Sequence, residues 1–140
     1  MTSRQRESIA HGERGNTLVE FGLASTVFFM TLFGILSLGV AVWQYNMVSD
    51  LAQEGARWAA VRGSTASTPA TADSVSTYVT SRALGMTVTV ATTWPDAGGT
   101  ANQAGNRVQV TVTKSFTPMT AFVPRSALSL QSTAQMIIAR

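Results

Sequence analysis

The chain has 140 residues and a formal net charge of +3, with 45% apolar and only 12% charged side chains. It contains no cysteine, which excludes disulfides, thiolate metal sites and cysteine nucleophiles. The modest net charge forms no dense basic patch, so no nucleic-acid partner is expected. The scarcity of charge is local, because no charged residue occurs between Glu20 and Asp50. This composition predicts one small folded unit joined to a membrane segment.

Residues 1–15 form a polar segment rich in serine, arginine, glutamate and glycine, and they are predicted to be an unstructured leader. An ordinary secretory signal fits poorly, because the apolar run that follows is longer than the usual 7–15 residues. The arginines of the leader lie close to the span, so the positive-inside rule places the N-terminus in the cytoplasm. The single histidine, His11, has no expected role.

The uncharged run is predicted to be a membrane-spanning helix. Residues 21–43 are nearly all apolar or small, which is long enough to cross a bilayer. No proline interrupts residues 16–62, so a single helix is predicted over that range. The uncharged run would extend about 43 Å as helix, which exceeds a hydrocarbon core of ~30 Å. The helix should therefore continue outside the membrane, with Trp43 and Tyr45 at the interface.

Beyond the span, the apolar pattern becomes one-sided, which predicts a helix face that packs on a sheet. The apolar and small residues that recur at helical spacing are Val48, Leu51, Ala52, Gly55, Trp58 and Ala59. The other side carries Glu54 and Arg57, which are three residues apart and can pair. We expect these two side chains and Trp58 to form either a structural contact or a contact between subunits.

Residues 63–140 are predicted to be a small extracytoplasmic α+β domain. A loop over 63–72 leads to a short helix that Asp73 can cap and that runs to Leu84. Alternating valines and threonines then predict strands near residues 86–90 and 108–113, and a last strand over 128–138. We therefore expect a long helix, a short helix and an antiparallel sheet of three or four strands.

The head of the apolar helix carries the strongest functional signal, a glycine followed five residues later by a lone acid. A side chain at Gly15 would obstruct a protease that takes in extended backbone at the membrane face. A carboxylate entering an apolar phase costs about 2–3 kcal/mol or more, so Glu20 needs a partner. Cleavage after Gly15 would create an amine on Asn16. That amine can meet Glu20 of a neighbouring subunit and offset the burial of both charges.

The segment Arg14-Gly15-Asn16-Thr17-Leu18-Val19-Glu20-Phe21 resembles the type IV prepilin signal. Together with Ala52-Gln53-Glu54-Gly55-Ala56-Arg57-Trp58-Ala59-Ala60-Val61, it resembles TadE-like pseudopilins of the tight-adherence (Flp pilus) machinery. Gln53 stands where that family usually has a basic residue.

The resemblance implies a type IV pilin-like fold in the α+β class and cleavage by a prepilin peptidase between Gly15 and Asn16. Glu20 and Phe21 would then act in assembly. The implied partners are the peptidase, other pilins or pseudopilins, an inner-membrane assembly platform and membrane lipid, with no cofactor.

We therefore expect a minor pilin or pseudopilin in the bacterial inner membrane, with its C-terminal domain outside. Two alternatives stay open: a structural protein of the platform that never enters a fibre, and an uncleaved single-span binding module. The glycines of the span allow close helix packing, but glycine is also common in membrane helices.

An enzyme is not expected, because the external half has no histidine or cysteine. The loop from Asp96 to Asn106 contains a single carboxylate, so no metal site is predicted there.

Overall fold

The computed structural model describes residues 3–96, 102–117 and 128–139, with side chains from Gly15 onward. Five elements lie in these ranges: helices α1 (Ser3–Ala60) and α2 (Ala72–Arg82), and strands β1 (Thr89–Thr93), β2 (Arg107–Ser115) and β3 (Ser129–Ile137). The strands form an antiparallel sheet in the order β1-β2-β3. The predicted α+β class, with a long N-terminal helix, a short helix and a small antiparallel sheet, is confirmed.

The chain divides into two units, Met1–Leu38 and Gly39–Arg140. The described part of the first unit is helical throughout. Among the described residues, one helical segment, Gly15–Ala60, is long and apolar enough to cross a membrane. A single membrane anchor near the N-terminus is the topology that this segment suggests.

The core of the second unit lies where α1, α2 and β2 meet. The valines on one face of β2 are fully buried, as the period-two pattern predicted. The buried side chains of the core include Val48, Leu51, Ala52, Ala56 and Ala59 from α1, Val75 and Val79 from α2, and Val108, Val110 and Val112 from β2. Gly55 brings these elements close together, because a Cβ there would lie 2.7 Å from Val79 Cγ2 and 3.2 Å from Val110 Cγ1.

The bounds of α1 differ from the prediction at both ends. The expectation of an unstructured leader was wrong, because helical backbone begins at Ser3. The leader contains no proline, and adding turns to an existing helix avoids the cost of nucleation. At the other end, the helix stops at Ala60 rather than at residue 62. The carbonyl of Ala60 accepts a hydrogen bond from the amide of Ala139 at 2.9 Å, so a tertiary contact satisfies it.

Helix α2 starts from a different cap than the one predicted. Thr71, not Asp73, is the N-cap: its hydroxyl accepts from the Ser74 amide at 3.2 Å, and the Ser74 hydroxyl accepts from the Thr71 amide at 2.8 Å. This reciprocal pair satisfies two of the free amides at the start of the helix. Asp73 lies in the first turn, where a negative charge favours the helix dipole. Gly85 follows the helix with φ +80°, the conformation expected of a stop signal.

Strand β1 begins at Thr89, three residues after the predicted start at Met86. The ladder explains the difference, because pairing with β2 begins where Thr89 faces Thr113. Before that point the backbone still leads out of the turn after α2. Strand β3 agrees with the prediction to within one residue at each end.

Candidate assembly surfaces on helix α1

The residues of the predicted processing and assembly motif all lie on exposed helix. Gly15, Asn16, Glu20 and Phe21 belong to α1, and the Phe21 side chain is 70% exposed. Asn16 and Glu20 are four residues apart, so they lie on the same side of the helix, one turn from each other. Glu20 forms no ion pair with the side chains that the structure describes. Among the described side chains, none occupies this carboxylate, so it is available there to a cation from a neighbouring molecule.

An exposed apolar surface continues from this head along the first unit. Its large exposed side chains include Leu18, Phe21, Leu23, Val27, Phe28, Phe29, Ile35, Leu36 and Leu38. Some of the rings contact each other along the helix: Phe28 and Phe29 lie edge to face at 5.5 Å, and Phe29 stacks on Phe33 at 6.3 Å. So large an exposed apolar surface requires lipid or other apolar helices around it.

Two threonines within this surface satisfy their own hydroxyl groups. Thr26 donates to the carbonyl of Gly22 at 2.8 Å, and Thr31 donates to the carbonyl of Val27 at 2.9 Å. Each bond closes within one helical turn, so neither hydroxyl needs water. A polar residue in the span therefore costs little in an apolar environment. The four-residue spacing back to these carbonyls was visible in the sequence, but the prediction did not use it.

A second surface, which we call the α1–α2 groove, is centred on Glu54. The expected pairing of Glu54 with Arg57 was wrong. Glu54 Oε1 instead accepts from Arg82 Nη1 at 2.6 Å and from the Tyr78 hydroxyl at 3.0 Å, both on α2. Burial raises the pKa of the Tyr78 phenol, and the hydrogen bond to Glu54 raises it further. Arg82 and Glu54 are substantially exposed, so their ion pair adds little stability and mainly orients α2 on α1.

Trp58 and Arg57 have different surroundings in the groove. Trp58 is half-buried and stacks on Tyr78 with ring centroids 5.0 Å apart. The Arg62 guanidinium also lies over the Trp58 ring, 4.2 Å from its centroid. Trp58 packs against the core that α1, α2 and β2 share, and its ring contact is with Tyr78 of α2. Arg57 is exposed and forms no ion pair with the described side chains. Of the three residues predicted for this contact, Arg57 alone stays unengaged within the described chain.

Asn102 holds the C-terminal end of α1 and was missed by the sequence analysis. Its side-chain amide donates to the carbonyls of Arg62 at 2.8 Å and Ala70 at 3.0 Å. Its backbone carbonyl accepts from the Ser64 amide at 2.7 Å. The residue is only 5% exposed and has φ +71°, a conformation that asparagine tolerates better than most residues. No local pattern marks such a residue, since its partners lie more than 30 positions away.

The loop after β1 uses its carboxylate for a structural ion pair. Asp96 accepts from Arg107 Nε and Nη2, each at 2.8 Å, and from the Arg107 amide at 3.0 Å. These bonds lower the pKa of the Asp96 carboxyl to about 2. Residues 97–101 of the same loop lie outside the described residues. Within the described chain, no group of three or more potential metal-ligating side chains occurs.

One continuous segment carries the unpaired carboxylate, the exposed apolar surface and the first residues of the α1–α2 groove. Residues 15–57 match the model of the TadE-like protein family. The resemblance expected from the two sequence motifs is confirmed over this segment. Comparisons with curated proteins and with solved structures give no match.

The TadE-like match associates the chain with Tad pilus systems and with a single membrane-spanning helix. Members of a pilin family contact other pilus components and act as structural proteins, not as catalysts. The match runs from Gly15 to Arg57, so it ends inside α1 and leaves α2 and the sheet outside. The part of the chain that resembles the TadE-like family is therefore its long helix.

Proposed function

We propose that the chain is a minor pilin or pseudopilin that is cleaved after Gly15 and assembles through α1 into a Tad-type pilus or its secretion apparatus. The observation that carries the proposal is Glu20, five residues after Gly15 at the head of an exposed apolar helix, which forms no ion pair with any side chain that the structure describes. The family match over residues 15–57 supports the same conclusion.

Gly15 serves the peptidase rather than the fold. A Cβ at this position would meet nothing within 4 Å, so the folded chain itself does not require a glycine there. The bond to Asn16 lies within helical backbone, which must unwind before a protease can bind it. Glycine favours that unwinding by about 1 kcal/mol relative to alanine. Gly15 thus has no side chain to obstruct a protease, and it lowers the free energy needed to unwind the helix at the cleaved bond.

Glu20 acts after cleavage. The new amine on Asn16 is a cation at the end of the same apolar helix, and in a helical array it lies beside the carboxylate of a neighbouring subunit. Pairing the two charges offsets the cost of burying each one, and so it fixes the axial register between neighbours. Phe21 and the apolar surface beyond it contact lipid before assembly and neighbouring helices afterwards.

The proposed location follows from the span and its flanks. The precursor sits in the bacterial inner membrane with its leader in the cytoplasm and residues from Asp50 onward outside. In that orientation the cleavage site faces a membrane-embedded prepilin peptidase. The helix contacts the assembly platform and other pilins in the plane of the membrane.

N-terminal sequencing and mass spectrometry of the protein from cells with a Tad apparatus test the proposal. We expect a mature N-terminus at Asn16 in the parent chain and a longer membrane-bound precursor in Gly15→Glu. Ser8→Glu is the matched control, because it adds the same charge to the leader away from the cleaved bond. Mature protein that retains residues 1–15 in most molecules contradicts the proposal and favours an uncleaved single-span binding module.

Shearing separates the two cleaved alternatives. A minor pilin that enters the fibre is recovered with sheared surface fibres, whereas a structural protein of the platform stays with the membrane fraction. Immunoblots of the two fractions measure this distribution directly.

A further inference from the structure

Two unpaired charges of opposite sign lie on the side of α1 that borders the α1–α2 groove. Asp50 and Arg57 are both exposed, and neither forms an ion pair with the described side chains. They are seven residues apart, so they share one side of the helix and are separated by about 10.5 Å along its axis. Glu54 lies between them, but Arg82 and Tyr78 already occupy its carboxylate.

The surface next to these charges has the chemistry of a protein contact. The groove has a volume of about 520 Å³. Its lining residues are Asp50, Gln53, Glu54, Arg57, Trp58, Val61, Arg62 and Tyr78. Tryptophan, tyrosine and arginine are the residues that dominate binding energy at interfaces. Val61 adds an apolar side chain that is 54% exposed.

We propose that the α1–α2 groove binds helix α1 of a second copy of this chain, parallel to the first and staggered by seven residues. In this arrangement, Asp50 of one copy pairs with Arg57 of its neighbour. The inference rests on the proposed function, because copies anchored in one membrane by the same helix all run in the same direction. That shared direction excludes the antiparallel pairing, which would also match the two charges.

The contact joins Asp50 of one copy to Arg57 of the other across a stagger of about 10.5 Å. The remaining Arg57 and Asp50 of the two copies take no part in this pair.

Cysteine cross-linking of the full-length chain in membranes tests the stagger, since the chain has no cysteine of its own. One tagged copy carries Asn46→Cys, and a second copy with a different tag carries Gln53→Cys. Both positions are exposed, uncharged and seven residues apart, so they report the stagger while Asp50 and Arg57 stay intact. We expect a disulfide between the two tags, and little between two copies that both carry Asn46→Cys.

Charge reversal then tests the pair. Asp50→Arg or Arg57→Asp in all copies should lower the cross-linked yield by about fivefold or more, whereas the double reversal should restore it. Asp73→Arg is the control, because it makes the same change on exposed α2 outside the groove. Failure of the double reversal to restore the yield overturns the Asp50–Arg57 pair. If cross-links form only between identical positions in the two copies, the seven-residue stagger is wrong. If the chain associates only with a different pilin, the groove does not bind a second copy of this chain.

The proposed function stays separable from this inference. If the chain is cleaved at Gly15 and recovered with sheared fibres while no cross-link forms, the inference alone is wrong. If the chain is neither cleaved nor assembled, the proposed function itself has failed.

Discussion

Helix α1 belongs to both units, and its apolar side chains differ between them in size and in surroundings. In the first unit they are large and exposed, such as Leu18, Phe21 and Phe28. In the second unit, the apolar side chains of α1 that are buried are mostly small, such as Ala52, Ala56 and Ala59. Small side chains allow a sheet and a second helix to approach closely, whereas large exposed ones require a partner from outside the chain. Side-chain size thus distinguishes the part of the helix that packs within the chain from the part that we propose to act in assembly.

The glycines of α1 show the same contrast. A Cβ at Gly22 or Gly34 would meet nothing within 4 Å, so their absence of a side chain has no role in packing within one copy. At Gly55 a Cβ would contact Val79 and Val110 at less than ordinary van der Waals distance. The same residue type therefore serves internal packing in one unit and remains open to neighbouring helices in the other.

The largest expected effect is on assembly, from a change that leaves the fold intact. Glu20→Gln keeps the shape of the side chain but leaves the Asn16 amine of a neighbour without its partner. Loss of one member of a buried pair costs about 3–5 kcal/mol, enough to abolish a weak subunit contact. We expect normal cleavage and membrane insertion but no incorporation into sheared fibres, measured by immunoblot.

Asp73→Asn is the control for Glu20→Gln, because it removes an exposed carboxylate from the second unit. Normal co-assembly of Glu20→Gln would show that Glu20 is only an interfacial acid. The distinction between a folding part and an assembling part of α1 would then lose its main support.

Gly55→Ala is expected to have the largest effect on the stability of the second unit. The added methyl group overlaps Val79 Cγ2, and overpacking of this kind costs about 1–3 kcal/mol, partly offset by about 1 kcal/mol of helix propensity. Hydrogen–deuterium exchange of β2 amides in the detergent-solubilised chain should become faster. Gly34→Ala is the matched change in the first unit and should leave this exchange unchanged. Equal protection in Gly55→Ala would mean that α1 does not pack closely on α2 and β2.

Trp58→Ala is expected to have a smaller effect, because its ring is only half-buried. Loss of the stack on Tyr78 and of part of the apolar burial should destabilise the second unit by about 1–2 kcal/mol. Exchange of α2 amides in the same chain should report the loss. Trp43→Ala removes an exposed tryptophan of α1 and should leave α2 protected. If the α2 amides exchange at the same rate in both variants, Trp58 does not stabilise the packing of α2 on α1.

The smallest effect concerns pH. Arg107 lowers the pKa of Asp96 from 3.8 to about 2, so the folded state favours the charged carboxylate. Its contribution is complete above pH ~4 and is lost as pH falls toward ~2. Asp96→Asn should therefore make the melting temperature of the second unit less dependent on pH in this window. Asp50→Asn is the control and should keep the parent slope, and an unchanged slope in Asp96→Asn would contradict the ion pair.

The sequence by itself determined the features that depend on local pattern. The uncharged run predicted the long helix, and alternating valines predicted the buried face of β2. The processing and assembly roles of Gly15 and Glu20 stay a prediction from their spacing. These signals are readable because helical and strand periodicity repeat within a few residues. The ends of the helices and strands were predicted less accurately, since several nearby residues can act as the cap of a helix. At α2 the capping pair is Thr71 and Ser74.

Only the tertiary structure decided which side chains meet. Glu54 pairs with Arg82, 28 positions away, rather than with Arg57 one turn along its own helix. Asn102 closes the end of α1 by bonding to Arg62, 40 positions away. Such partners are set by how the helices and the sheet pack, and periodicity within one element carries no information about a distant one. The same packing leaves Arg57 without an ion pair among the described residues. Its charge is therefore available for the contact that we propose with a second copy.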